Sequence, residues 1–576
     1  MGLGEDRRRT RALIPSEDTQ WEAEPFVHFG EHYGLGCPVP ERCFRYPSDM
    51  LMPWASFYHP DTGRGLYYAA HDTQMRSKFL RLAMHPGGAN ERVGTGWLRD
   101  DEAEGAPRGL TMSWVFVPHT PPGDTFRGPA VILQCHDGGW RSAARIYREW
   151  FSSNFLVVDS RRHWLRQQTT CLDTMFMLPE GNINYTFAQI PQWARAAREY
   201  GIEALLISGW HVGGHDRGYP QYEPDPRLGT WQELEAGIRA CHDMGQRVYF
   251  FANIAPIDIS TEWFREELQK YLVLDADGAY SVCGWGMGTL TARFSSTRPP
   301  LAFANPWHPE LRVILLDQMC KLVEIGADGI HFDKVMLPDL DFNPRLQCSP
   351  DCAAMEGTYE FLEQVVTACR RINPDFCISF EGWWDRLFAF SDVVWWARDV
   401  TSIQKAVFPQ RTATGYITQP GDYNQVNLCA LRGQHLLLGP ANFTRGADWL
   451  PMRRLCKYVG EITRIRNELC DTVSRGRLLE ESNGLYAKST SDVQLSGPFA
   501  DSPHAKWSLF ESVETGARAV VLANLSDAML NVDGLMVKGN DGRACCVHQP
   551  FEPTLEARFP LSLEIAGERV AFVVID

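Results

Sequence analysis

Three times between residues 190 and 335, a run with apolar residues at helical spacing is stopped by a glycine and followed by a short apolar run of strand length. Ile190 to Tyr200 stops at Gly201 and leads into Ile202-Glu-Ala-Leu-Leu-Ile-Ser208. Thr230 to Met244 stops at Gly245 before Arg247-Val-Tyr-Phe-Phe-Ala-Asn253. Pro309 to Ile325, with Leu311, Ile314, Leu315, Met319, Leu322 and Val323 on one face, stops at Gly326 before Ile330 to Val335. Glycine suits the left-handed position after a helix, and the switch of period marks a buried strand. Further strands are predicted at Cys171 to Met177, Phe376 to Glu381, Asp392 to Trp396, Thr412 to Thr418 and Leu436 to Gly439, with helices at Met355 to Ile372 and Trp449 to Leu469. Alternation sustained over about 300 residues requires a parallel sheet, and a (β/α)8 barrel accommodates it best.

The flanks read differently. Short alternating runs separated by Gly, Pro, Asp and Asn occupy Trp21 to Gly138 (Gly65 to Ala70, Lys78 to Met84, Leu110 to Val117, Ala130 to Gln134). A helix at Trp140 to Phe151 then connects to the barrel. Similar runs follow the last helix (Gly484 onward, Trp507 to Glu511, Arg518 to Asn524, Val570 to Ile575). Both patterns predict antiparallel β-sandwiches. The expected organisation is an N-terminal sandwich with linker helix over 1–165, a barrel over 166–472 and a C-terminal sandwich over 473–576.

A formal net charge of −15 excludes the basic stripe of a nucleic-acid surface. No run reaches the length of a membrane span, and nothing near Met1 has the form of a signal peptide, so a soluble, cytoplasmic protein is expected. The sixteen cysteines form no C-x-x-C pair and suit a reducing compartment. A metal site from Asp333, Asp339 and Asp341 lacks a histidine to complete it, and no cofactor motif is present, so neither metal nor cofactor is expected. A homo-oligomer is compatible with the sequence.

In a parallel barrel the chemistry collects at the carboxyl ends of the strands. In strand order these ends carry Asp173, then Trp210, His211 and Asp216, then Asn253, then His331, Asp333 and Lys334, then Glu381, Trp383, Trp384 and Asp385, then Arg398 and Asp399. Carboxylates interleaved with tryptophans suit a sugar site: one carboxylate attacks, another donates a proton, and indole faces stack on the ring.

The stretches Tyr222-Glu-Pro-Asp-Pro-Arg-Leu-Gly229, Ala304-Asn-Pro306, Gly326-Ala-Asp-Gly-Ile-His-Phe-Asp333, Ser379-Phe-Glu-Gly-Trp383 and Trp396-Ala-Arg-Asp399 occur in that order. Together they resemble the α-galactosidase-like (melibiase) branch of clan D glycoside hydrolases, relatives of families 27, 31 and 36, over residues 169–402. The resemblance implies a retaining α-glycosidase on a barrel flanked by sandwiches, with an oligosaccharide or glycoside as its partner. It makes Asp333 the nucleophile and Asp399 the acid/base. Glu381 is the alternative acid, since other α-glycosidase barrels use a fifth-strand glutamate. Where relatives often place a sugar-binding lysine two residues before the nucleophile, this chain has His331. The reading from another class is a non-catalytic carbohydrate-binding or regulatory protein on a degenerate barrel.

Overall fold

The computed structural model describes every residue except 1–2, 5, 17–20, 26–40, 86–108, 157–163, 165–168, 285–298, 336–339, 396–401, 440–451, 480–484, 490–494, 500–503 and 576. Eight parallel strands form one sheet: β1 (Thr170–Met175), β2 (Ala204–Ser208), β3 (Arg247–Asn253), β4 (Gly329–Asp333), β5 (Cys377–Glu381), β6 (Val393–Trp395), β7 (Thr414–Ile417) and β8 (His435–Leu438). They pair in the order β6-β5-β4-β3-β2-β1-β8-β7. A single parallel bridge between Val394 and Ala413 brings the two edges together, so the sheet curls into a nearly closed barrel.

The glycine stops behave as the sequence predicts. Gly201, Gly245 and Gly326 have φ of +68°, +78° and +103°. In each case the glycine N–H and the next N–H bond back into the last helical turn, for example Gly326 to the Val323 carbonyl and Ala327 to the Leu322 carbonyl, both at 3.0 Å. This is the Schellman closure, and each one turns the chain directly into a barrel strand. The helix Trp231–Asp243 also starts as read. Thr230 and Glu233 form a reciprocal capping box, with the Glu233 N–H donating to Thr230 Oγ1 at 3.2 Å and the Thr230 N–H donating to Glu233 Oε2 at 2.8 Å.

Two features of the connections matter for the site, and the first departs from the sequence reading. First, the connection after β3 carries a small antiparallel sheet of Pro256–Asp258, Val282–Cys283 and Leu301–Phe303. Strands of two or three residues are too short to show a period. Second, no α-helix separates β5 from β6; only a 3₁₀ turn at Asp385–Ala389 does. The outer layer at that point comes from the N-terminal unit instead. Trp383, Phe388 and Val394 of the barrel share one buried cluster with Leu51, Trp54 and Tyr67, and with Trp140, Ala144, Tyr147 and Phe151 of the helix Trp140–Asn154. That helix is the expected connector, and its buried face follows helical spacing.

The N-terminal unit contains a five-stranded sheet (Trp21–Ala23, Arg11–Ile14, Trp54–Tyr58, Gly65–His71, Ala130–His136) and a three-stranded one (Glu41–Tyr46, Lys78–His85, Gly109–Val115). At the C-terminal end, strands including Ala505–Glu511, Arg518–Asn524 and Arg569–Ile575 form a larger sheet. It shares a core with Leu530–Val537 and Leu561–Ile565 of a second sheet.

Asp328, immediately before β4, ties the barrel wall together. Its carboxylate accepts the Val248 N–H at 2.8 Å and Arg247 Nη1 at 2.9 Å, both from β3, and pairs with His242 Nε2 at 2.8 Å on the preceding helix. The Asp328 hydrogen bond raises the His242 pKa against the opposing effect of burial. A histidine whose folded-state pKa is raised stabilises the fold fully below its unfolded value of about 6.5, and that contribution is lost as pH rises through the folded-state value. His242→Gln is therefore expected to cost more stability at about pH 5.5 than at about pH 8.5 in urea denaturation, and an equal loss at both would contradict the ion pair.

Candidate active site

The sheet register lines up one row of inward side chains near the carboxyl ends of four neighbouring strands. Asn253 of β3 is paired with Asp333 of β4, and Glu381 of β5 with Trp395 of β6. The β4–β5 ladder runs through His331–Ser379 and Phe332–Phe380. The ladder ends one residue before Asp333 and Glu381, which close the two adjacent strands at their carboxyl ends.

One layer below, His331 Nδ1 lies 3.1 Å from Ser379 Oγ. Its ring stacks on Trp395 with centroids 5.3 Å apart and leans on Phe251. Burial pushes the His331 pKa down to about 3, so the ring is neutral. It lies two residues deeper in the barrel than Asp333 and is buried. Deeper still, Gly329 is required, because a Cβ there would lie 2.5 Å from the Tyr249 ring.

The loop after β2 folds over this row. Asp216 sits there with φ +53° and is 1% exposed. Its N–H donates to Tyr219 Oη at 3.1 Å, and its Oδ1 accepts the Tyr219 hydroxyl at 3.3 Å and Lys334 Nζ at 3.0 Å. Lys334, the residue after β4, has φ +51°, and that backbone turn folds its side chain back. Its ammonium bridges Asp216 and Asp333, while its N–H donates to Asp333 Oδ1 at 2.7 Å.

Two carboxylates therefore share one cation. Burial pushes the Asp333 pKa up, Asp216 adds to the rise, and Lys334 opposes it without cancelling it. Asp216 is also pushed up by burial, but Lys334 and His215 outweigh that and leave it below its usual value. Burial disfavours the Lys334 ammonium, yet the two carboxylates raise its pKa.

Two groups in this buried region point to a ligand. Both amide atoms of Asn253 and the Oδ2 of Asp216 lack hydrogen-bond partners among the described residues. Leaving a buried polar group unpaired costs about 1–3 kcal/mol, a cost a polyhydroxylated ligand would remove. Asp173 reaches the interior from β1, where its carboxylate accepts Tyr416 Oη at 3.2 Å and Ser208 Oγ at 3.3 Å.

The tryptophans predicted as sugar platforms are placed otherwise. Trp210 is fully buried, donates Nε1 to the Phe251 carbonyl at 3.0 Å and packs on Tyr222 and Phe250. Trp383 packs on Phe388, and Trp384 meets Tyr46 edge-on, both against the N-terminal unit. Asp385 turns the same way and accepts hydrogen bonds from Tyr46 Oη at 2.5 Å and from Tyr147 Oη. Aromatic and acidic residues after a strand are equally suited to an interface, and here the missing helix draws them outward. His211 also packs inside, stacked on Tyr219 with Nε2 3.0 Å from the Arg217 carbonyl, and burial holds its pKa near 3. Asp341 is occupied by Asn305 Nδ2 at 2.7 Å and by the Leu274 and Asn343 N–H groups, while Asp339 lies outside the described residues. Trp396, Arg398 and Asp399 also lie outside them.

Tyr219, Tyr416 and Cys283 were missed. The first two bond Asp216 and Asp173. Cys283 stands on the small sheet close enough to Lys334, Asp216 and Asp333 to sense their charges, and burial pushes its thiol up to about 11. For Tyr219, five residues past Gly214, the only sequence signal is its closeness to Asp216.

Fold and site together define a parallel (β/α)8 barrel with antiparallel sheets on both sides and a carboxylate-rich mouth. Solved structures with this arrangement include the family 36 α-galactosidase AgaA from Geobacillus stearothermophilus, at 11% identity and a TM-score of 0.60 over 98% of this chain and 75% of that one. The α-galactosidase from Lactobacillus brevis aligns at 12% identity and a TM-score of 0.60, over 99% and 74% of the two chains. A variant of AgaA in complex with stachyose aligns at 10% identity and a TM-score of 0.59, over 99% and 75%. The likeness is one of fold. In sequence, residues 128–347 match a family described as a domain of unknown function, DUF6259. Comparison with curated proteins finds no match. Among the described residues no helix is long and apolar enough to cross a membrane.

Proposed function

We propose that this chain is a retaining α-glycosidase acting on an α-linked, galactoside-like oligosaccharide. The observation that carries the reading is the row Asn253–Asp333–Glu381 at the barrel mouth, with Asp333 clamped to Lys334 and Asp216. The fold shared with α-galactosidases, one of them holding stachyose, favours the substrate class. In this reading the domains run 1–165, 166–472 and 473–576, and the flanking sheet pairs act as sandwiches that brace the barrel.

Asp333 attacks the anomeric carbon as the bond to the leaving oxygen breaks, and a carboxylic acid gives that oxygen its proton. Water, deprotonated by the same carboxylate, then displaces Asp333. Asp399 takes the acid/base role by resemblance, and Glu381 by its position at the end of the strand adjacent to that of Asp333. Asp216, Asn253 and Lys334 hold sugar hydroxyls, with Asp173 deeper in the barrel and Arg398 assigned by resemblance alone. Trapping with an activated fluorosugar and mapping the labelled peptide tests this. A label away from Asp333, or an inverted product by NMR, removes the assignment.

Lys334 should govern the pH range. It opposes the burial that raises the Asp333 pKa, so Lys334→Met is expected to move the acidic limb of kcat/KM to higher pH. An unmoved limb would mean that another group sets it.

The direct pairing of Lys334 with Asp333 favours one other reading, a carbohydrate-binding or regulatory protein whose nucleophile position is permanently neutralised. Undiminished ligand affinity in Asp333→Asn, with no turnover of any glycoside by the native chain, would select it.

A further inference from the structure

A cavity of about 520 Å³ lies where the helix Trp140–Asn154, the barrel helix Ser402–Val407 and the C-terminal strand Arg477–Leu479 meet. Among the described residues its lining includes Arg141, Arg145, Arg148, Lys405 and Arg477 and no carboxylate. In a chain with 71 acidic and 56 basic residues, five cations along one lining are not an average sample of its surface.

The three helix arginines fall at i, i+4 and i+7 and so line one face, where like charges repel and oppose helix stability. Among the described residues little offsets the second and third of them. Arg145 has neither an ion pair nor a hydrogen bond among the described residues, and Arg148 donates only to the Ala406 carbonyl at 3.2 Å. Arg477 reaches a carboxylate, Glu511 at 2.7 Å, and Glu511 is shared with Arg518. Lys405 is buried, with Nζ 3.1 Å from the Ser474 carbonyl. Trp140, with the Arg141 guanidinium 4.8 Å from its ring centre, and Phe499 add aromatic surface. Arginine forks match phosphate oxygens in geometry as well as charge, and the volume suits a small metabolite.

We propose that this cavity binds the phosphoryl groups of a small phosphorylated ligand, held by Arg145, Arg148 and Arg477 where the N-terminal unit, the barrel and the C-terminal sheets meet. None of the lining residues is one that the glycosidase reading uses.

Calorimetric titration of the full chain with pyrophosphate and with ADP, at about 0.15 M salt to screen exposed charges, tests it. One equivalent of at least one probe should bind. Arg145→Glu should weaken it by about tenfold or more, whereas Arg239→Glu, on an exposed barrel helix, should leave it unchanged. Arg145 makes no contact that folding needs, so the variant should keep the native melting temperature, and Arg145→Ala serves if it does not. ADP binding about tenfold tighter than pyrophosphate identifies a nucleotide that uses the aromatic surface, and equal binding identifies the phosphoryl groups alone as the determinant. Absence of binding by both probes, or equal weakening by the Arg145 and Arg239 substitutions, overturns the proposal.

Discussion

Asp333→Gly is expected to lower turnover of an aryl α-glycoside by about 10⁴-fold or more, because in the proposed mechanism it removes the nucleophile and with it the covalent route, not merely one contact. Adding azide should restore bond cleavage by occupying the vacated space, and the isolated product should be the β-glycosyl azide. Attack from the face where Asp333 stood, with no second displacement, permits only that configuration. Turnover within about tenfold of the native level, or an α-configured azide, would show that another group attacks. The variant should remain folded. Lys334 keeps Asp216 as a partner at 3.0 Å when Asp333 is lost, so no cation is left bare. Near neutral pH the loss of the Asp333 charge should offset part of the cost of a glycine in a strand. Burial and Asp216 raise the Asp333 pKa, so its ionised form weighs against the folded state above the normal carboxylate range. A group that costs stability where it supplies chemistry is the usual trade at an active site.

The barrel was legible because three helix-to-strand junctions are marked by a residue with a conformational reason to be there: Gly201, Gly245 and Gly326 occupy left-handed positions that a Cβ would strain. Asp333 was legible for a similar reason, since a buried carboxylate at the end of an apolar strand has few inexpensive structural uses. The depth of His331 follows from the period of two along a strand, which puts it on the same face as Asp333 but one layer further in. Trp383, Trp384 and Asp385 were misread because aromatic and acidic side chains have the same local signature in a sugar site and in a domain junction. Their direction depends on the absent helix between β5 and β6, a tertiary fact that no local pattern encodes. The clamp of Lys334 across Asp333 and Asp216 joins residues 118 apart in the chain, so it too was beyond local reading.

That junction carries the largest stability effect expected outside the active site. Asp385 is 1% exposed and satisfies two buried tyrosines from the N-terminal unit, Tyr46 at 2.5 Å and Tyr147, while its N–H donates to the Leu51 carbonyl at 3.0 Å. Asp385→Ala removes the acceptor of both hydroxyls and opens a small void, and at about 1–3 kcal/mol for each orphaned group the loss should reach about 3–5 kcal/mol. Because units can separate before the whole chain unfolds, the loss should appear as an earlier thermal transition and as faster proteolysis between the N-terminal unit and the barrel, not as a uniform shift. Orphaning and interaction energy can be told apart. If the cost is mainly that of stranded hydroxyls, Tyr46→Phe and Tyr147→Phe combined with Asp385→Leu should recover most of the lost stability, because removing all the polar partners together leaves nothing unsatisfied. Burial already raises the Asp385 pKa, so its charge costs the folded state more as pH rises above the carboxylate range, and the apolar triple variant should compare most favourably at neutral pH and least so at acidic pH. A triple variant as unstable as Asp385→Ala would instead make the tyrosine–aspartate hydrogen bonds themselves the attachment between the N-terminal unit and the barrel wall.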